Sequence, residues 1–335
     1  MRKLVLRAAL ALLFVLLAAA ASAGWWLARP LPLAADAIEV SVPQGASLRA
    51  AARQAAAAGV QVPAELLSLY FRFAGQGQTI QPGDYAVTRG MRAADLLDKL
   101  VRGERVMVSI TLVEGWTFRQ VRAALAQAEF LRHDSAELSP DELMEALGVP
   151  GVAPEGRFFP DTYLYPKHAS SELAILRQAM QLMQRRLAAA WEARASDLPL
   201  KSPDEALILA SIVEKETGRD ADRAEIAGVF INRLRAGMPL QTDPTVIYGL
   251  GETFDGNLTR SHLRGDTPFN TYTRRGLPPT PIAMPGKAAL MAAVQPARTS
   301  ALYFVARGDG SSHFSRSLDE HNRAVNRYQR GGGRP

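Results

Sequence analysis

S-P-D-E-A-L-I-L-A-S-I-V-E-K-E-T-G, residues 202–218, reads as one helix with marked ends. Ser202 is a good N-cap, Pro203 suits the first helical position, and Glu205 three residues on predicts a capping box. Gly218 predicts a left-handed stop. Leu207 to Val213 is apolar or small on every side, so the helix belongs in a core. Glu214 ends that run. It follows Ala210 by four residues, Ser211 by three and Leu207 by seven, on a face of small and apolar side chains. A carboxyl group there loses hydration, which favours its neutral form and suits a general acid. On these residues alone a second reading stays open: Glu214 opens an exposed helix end shared with Lys215 and Glu216, and Glu216 reads as solvated.

The chain of 335 residues, 47% hydrophobic, is long enough for about two domains with their own cores. Its net charge is +6, of which Arg2, Lys3 and Arg7 precede the first apolar run, leaving +3 for the remainder. No basic stripe with interleaved aromatics is present, so nucleic acid is not an expected partner. Cysteine is absent, which excludes disulfides, thiolate metal sites and a cysteine nucleophile. Histidines at 133, 168, 262, 313 and 321 lack close metal spacing, and neither G-x-S-x-G nor H-E-x-x-H occurs. No metal or cofactor is expected.

Ala8 to Ala28 carries no charge, is bracketed by Arg7 and Arg29, and has about the length of a bilayer-spanning helix. The basic residues before it place the N-terminus in the cytoplasm, and Trp25 with Trp26 suit the far interface. Ala21-Ser22-Ala23 offers the alternative of a cleaved signal peptide, but the apolar run continuing through Leu27 favours an uncleaved anchor. The expectation is a single-pass protein of the cell inner (plasma) membrane with its bulk outside the cytoplasm.

The fold expected is α+β, in five segments. Residues 1–29 are a cytoplasmic stub and transmembrane anchor, and 30–37 a linker. Residues 38–104 form a small module: a strand at Ile38 to Val42, helices capped by Ser47 and opened by Pro63, a strand near Tyr85, and a helix stopped at Gly103. Residues 105–330 form a larger, mainly helical catalytic domain with long substrate loops, and 331–335 a disordered tail. In the larger domain Asp222 is expected to cap a helix ending at Gly237. Met238 to Pro285 is expected to be mostly loop, and such length inside a domain points to function. Phe158, Phe159 and Tyr163 read either as a functional loop or as core. Glu320 and His321 are expected to anchor a closing helix.

Six motifs occur in one order: G-R-F-F-P-D-T-Y (156–163), L-I-L-A-S-I-V-E-K-E-T (207–217), L-Q-T-D-P-T-V-I-Y (240–248), F-N-T-Y (269–272), G-L-P-P-T-P-I (276–282) and H-F-S-R-S-L-D-E-H-N (313–322). In these the chain resembles the endolytic murein transglycosylases of the YceG-like family, and residues 38–104 resemble a LysM-like glycan-binding module. The resemblance implies a lyase that cuts peptidoglycan glycan strands between N-acetylmuramic acid and N-acetylglucosamine, leaves 1,6-anhydro ends, and terminates strand elongation beside the wall-synthesis machinery.

It further implies that Glu214 is the essential carboxyl group, protonating the glycosidic oxygen and then drawing the proton from the muramoyl C6 hydroxyl. An intramolecular hydroxyl supplies nucleophile and proximity, so no second carboxylate is needed. Gln241, Asp243, Asn270 and Tyr272 are the candidates for holding sugar rings and acetamido groups. Asp243 also sustains a rival reading, a hydrolase working through Glu214 with Asp243, while an Asx turn before Pro244 is its structural alternative. A non-catalytic wall-binding scaffold is the third reading.

Overall fold

Helix starts in this chain are written in serine and threonine. Ser47, Thr117, Ser139, Ser171, Ser202, Thr259 and Ser317 each accept the backbone N–H three residues on, satisfying donors that the first turn leaves unpaired. The computed structural model describes residues 2–75 and 79–330; the tail expected at 331–335 lies outside the described residues. Helices and strands are mixed, and the chain divides into two units.

The first unit comprises Met1–Val108, Phe130–Arg132 and Leu164–Ser170. Helix α1 (Arg2–Ala28) contains one stretch, Leu10–Ala28, long and apolar enough to cross a membrane. Strand β1 (Ala37–Val42) is followed by α2 (Leu48–Ala57) and α3 (Ala64–Ala74), then β2 (Gly83–Thr88) and α4 (Ala93–Arg102). β1 pairs antiparallel with β2, placing Val40 opposite Tyr85. Val40, Leu67, Phe71, Tyr85, Leu96 and Leu100 are fully buried in its core. Tyr85 meets the cost of burying its hydroxyl by donating to Gln81 O at 2.6 Å. Gly103, at φ 68°, ends α4 in the left-handed conformation that a residue with a Cβ avoids.

Strand β3 (Met107–Thr111) leads into the second unit, which holds Ser109–Glu129, His133–Tyr163 and Ser171–Pro335. Along the chain come α5 (Phe118–Ala126), β4 (Leu131–Arg132, in the first unit), α6 (Pro140–Ala146), β5 (Thr162–Pro166) and β6 (Ser170–Ser171), both divided between the units, and α7 (Glu172–Glu192). Then follow α8 (Pro203–Glu216), α9 (Asp220–Arg235), α10 (Asp243–Leu250), α11 (Arg260–Arg264), α12 (Lys287–Val294), β7 (Tyr303–Ala306), β8 (Ser312–Ser315) and α13 (Leu318–Val325). β3 pairs with β5, β4 with β6, and β7 antiparallel with β8.

The core is built round α8, which packs against α7, α9 and α12. Every residue from Ala206 to Val213 is buried, and each large aliphatic side chain among them contributes about 1.5–3 kcal/mol of transfer free energy. Phe158, Phe159 and Tyr163 are core residues; Tyr163 OH donates to Phe159 O at 2.6 Å. His321 of α13 stacks on Tyr303 of β7, with ring centroids 5.2 Å apart.

Four local expectations are corrected. Ser202 Oγ accepts from Glu205 N, but the Glu205 carboxylate accepts from Lys201 N at 2.6 Å, so no reciprocal capping box forms. Nor does Gly218 supply a left-handed stop: Thr217 ends α8 in extended backbone at φ −151°. The helix begins at Asp220 with Arg219 at the N-cap position and no side-chain cap bond, and the Asp222 carboxylate instead accepts the Ser312 N–H at 2.7 Å, tying α9 to β8. The stretch 238–285 also holds α10 and α11, since Asp243-Pro244 and Thr259 open helices there.

Candidate functional site

α8 delivers two carboxyl groups in opposite directions. Residues two apart on a helix are rotated about 200° from each other, so Glu214 and Glu216 face different neighbours. Glu214 shares a face with Ser211, and both hold the loop leading into α12. Ser211 Oγ accepts the Ile282 N–H at 3.0 Å, and Glu214 Oε2 accepts the Gly286 N–H at 2.9 Å. The Glu214 side chain is 7% exposed, and Arg223 Nη2 stands 4.0 Å from its Oε1. Burial pushes this carboxyl above the ordinary carboxylate range, and the charge of Glu114 adds to the rise; the Gly286 N–H, Arg223 and Lys215 pull the other way.

Glu114 comes from the E-G-W-T turn (114–117) between β3 and α5, outside every motif singled out from the sequence. Gly286 is what admits it: a Cβ at that position would lie 1.8 Å from Glu114 Oε1. One glycine therefore donates its amide to Glu214 and offers its bare Cα to Glu114. The turn is held by reciprocal backbone bonds, Gly115 N to Met284 O and Met284 N to Trp116 O, while Lys215 Nζ donates to Gly115 O.

Glu216, read from sequence as solvated, is shielded: the Thr242 hydroxyl donates to its Oε1, and it lines a cavity of about 340 Å³. Gln241, Asp243, Tyr272, Arg233 and His321 line the same cavity. Three of the four sugar-holding candidates thus gather round Glu216 rather than Glu214. Burial pushes the Glu216 carboxyl up to about 7, against the Thr242 hydroxyl, with the Asp243 charge raising it and Arg233 lowering it. Asp243 is exposed in the first turn of α10, favoured there by the helix dipole, and accepts from Tyr272 OH at 2.6 Å. Gln241 is exposed and adopts φ 51°, a conformation costly for a residue with a Cβ.

Asn270 has a different place. It is fully buried, its Nδ2 donates to His262 O, Leu263 O and Gly265 O, and its Oδ1 accepts the Tyr272 N–H at 2.8 Å. The amide fixes the end of α11 and the backbone that carries Tyr272. A third shielded carboxyl, Glu155, accepts the Phe118 N–H through both oxygens at 3.0 and 3.1 Å and the Tyr248 hydroxyl at 3.1 Å. Burial pushes it up to about 7. It lines a cavity of about 790 Å³ together with Lys215, Tyr248 and Thr280.

The chain as a whole has counterparts among known proteins. The YceG-like family model matches residues 40–327, and the chain belongs to that family. Among its relatives is the endolytic murein transglycosylase of Bacillus subtilis, 31% identical over 311 residues, covering 87% of this chain and 84% of that protein. A protein of the same name from Streptococcus pneumoniae is 27% identical over 322 residues, covering 86% of this chain and 58% of its own length. The crystal structure of a YceG-like protein from Listeria monocytogenes superposes with a TM-score of 0.55 at 27% identity, covering 86% of this chain and 98% of that one.

Proposed function

We propose that this chain is a peptidoglycan lytic transglycosylase that cuts glycan strands internally, with Glu214 as its general acid and base. The observation that carries the proposal is the state of Glu214: 7% exposed, raised by burial, and held by one directional hydrogen bond from Gly286. Such a carboxyl keeps its proton to higher pH than a free one and can deliver it to a glycosidic oxygen. The resulting carboxylate is stabilised by the Gly286 N–H and by Arg223, ready to draw the proton from the muramoyl C6 hydroxyl as that oxygen closes the anhydro ring. No water enters the balance: the bond to N-acetylglucosamine breaks, the C6 oxygen takes its place at C1, and the proton passes through Glu214.

Gln241, Asp243 and Tyr272 serve as sugar-holding groups, with Asn270 positioning Tyr272 from behind. We extend the proposal to placement: α1 anchors the chain in the cell inner membrane with the N-terminus cytoplasmic, residues 38–104 act as a LysM-like module, and the activity terminates strands made by the wall-synthesis machinery.

A second reading has its own support. Glu216 and Asp243 line one cavity, and the Asp243 charge acts on Glu216. A carboxyl raised by burial beside a second carboxyl group is the pairing of a glycoside hydrolase. The pair supporting hydrolysis is therefore Glu216 with Asp243, in place of Glu214 with Asp243. Digestion of purified sacculi separates the readings. Release of 1,6-anhydro ends, lost in Glu214→Gln and retained in Glu216→Gln, supports the transglycosylase. Reducing ends lost in Glu216→Gln, with Glu214→Gln active, establish the hydrolase and refute our assignment.

A further inference from the structure

The first unit contains a cavity of about 600 Å³ whose wall carries Arg105, Arg132, Lys167 and His168, with Asp84 as the acidic residue lining it. The cations are set in place by the fold. The Arg105 stem crosses Gly83, where a Cβ would stand 2.7 Å from Arg105 Cδ; Gly83 is at φ 139° and so doubly requires glycine. Arg105 Nη2 donates to Gln81 Oε1 at 2.7 Å, while its Nε is buried and without an acceptor among the described residues. Lys167 lies 4.6 Å above the Phe130 ring and pairs with Glu39 at 2.8 Å, and His168 meets the same ring edge-on at 5.1 Å. The Asp84 carboxylate is occupied by the Ser41 hydroxyl.

An oxyanion in the cavity lined by Arg105, Arg132 and Lys167 would gain charge-assisted hydrogen bonds. Arginine forks match a carboxylate in two parallel bonds. The cavity is larger than a single small ion requires, which favours an anionic group at the end of a short chain. Glycan sugars carry few charges, but the peptides hung on a peptidoglycan strand end in free carboxylates. We propose that this cavity binds a carboxylate of a wall peptide, so that the first unit reads the peptides while the second acts on the sugars. The inference rests on peptidoglycan being the substrate.

The test uses the full-length chain in detergent and a synthetic probe, L-alanyl-γ-D-glutamyl-L-lysyl-D-alanine, titrated by calorimetry beside its fully amidated form. Saturable binding of the acid form, weakened about tenfold or more in Arg105→Gln and in Arg132→Gln and by amidation, supports the site; loss of one charge-assisted bond predicts that change. Equal binding of the amidated peptide, no saturable binding, or displacement by inorganic phosphate at equal concentration overturns it. Peptide binding needs no bond cleavage, so this outcome and the sacculus digestion fail independently.

Discussion

Replacing Glu216 by glutamine tests the electrostatics of the central helix most directly. Burial raises the carboxyl from 4.5 to about 7 in the folded chain. Folding therefore takes up a proton between those values, and the sign follows. The stability tied to this group is full below about pH 4.5, falls as pH rises, and is gone above about 7. The shift corresponds to about 3 kcal/mol. Glu155 is displaced in the same direction to about 7, so the parent chain should lose stability through this window from two groups. Glu216→Gln keeps an acceptor for the Thr242 hydroxyl and cannot ionise. The variant should match the parent near pH 4.5, exceed it by about 3 kcal/mol at pH 8, and show a flatter slope between. Urea denaturation of the second unit's core at pH 5, 6, 7 and 8 reads this. Superimposable stability curves for parent and variant would refute the shielded, protonated Glu216 described above.

Other expectations concern the same site. Glu114→Gln removes a like charge from beside Glu214, so the ionisation assigned to Glu214 in the kcat profile should move to lower pH; an unmoved limb would exclude electrostatic contact between the two. Asn270→Ala withdraws three donor contacts and the acceptor for Tyr272 N–H, leaving buried groups unpaired at about 2–4 kcal/mol in total. That should lower Tm by roughly 5–10 °C and raise KM through Tyr272. A Tm within a degree of the parent would mean the amide does not hold this loop.

The elements most legible in sequence were those with chemical punctuation: Ser47 and Ser202 cap helices, and Gly103 stops one in the left-handed region. Gly218 failed as a stop because the backbone leaves the helix one residue earlier, at Thr217, in extended conformation. Glu214 could be singled out because its helical neighbours are apolar over two turns. Glu216 could not, since what shields it, Thr242 beside Asp243, arrives from 26 residues further on. Glu114 stands 100 residues before Glu214, and only Gly286, contributed by a third segment, brings them together. Helix periodicity carries information over about two turns; it is silent on partners delivered by distant loops.

Gln241 carries one more consequence. Its φ of 51° is a conformation that glycine takes without strain, and a glycine there would ordinarily be the more stable choice by about 1 kcal/mol. The chain instead keeps a long amide on a strained backbone at the mouth of the cavity. Anyone engineering a hardier version of this protein by relieving backbone strain would reach position 241 early, and under the sugar-holding role proposed for Gln241 the gain in thermal endurance would come with a raised KM.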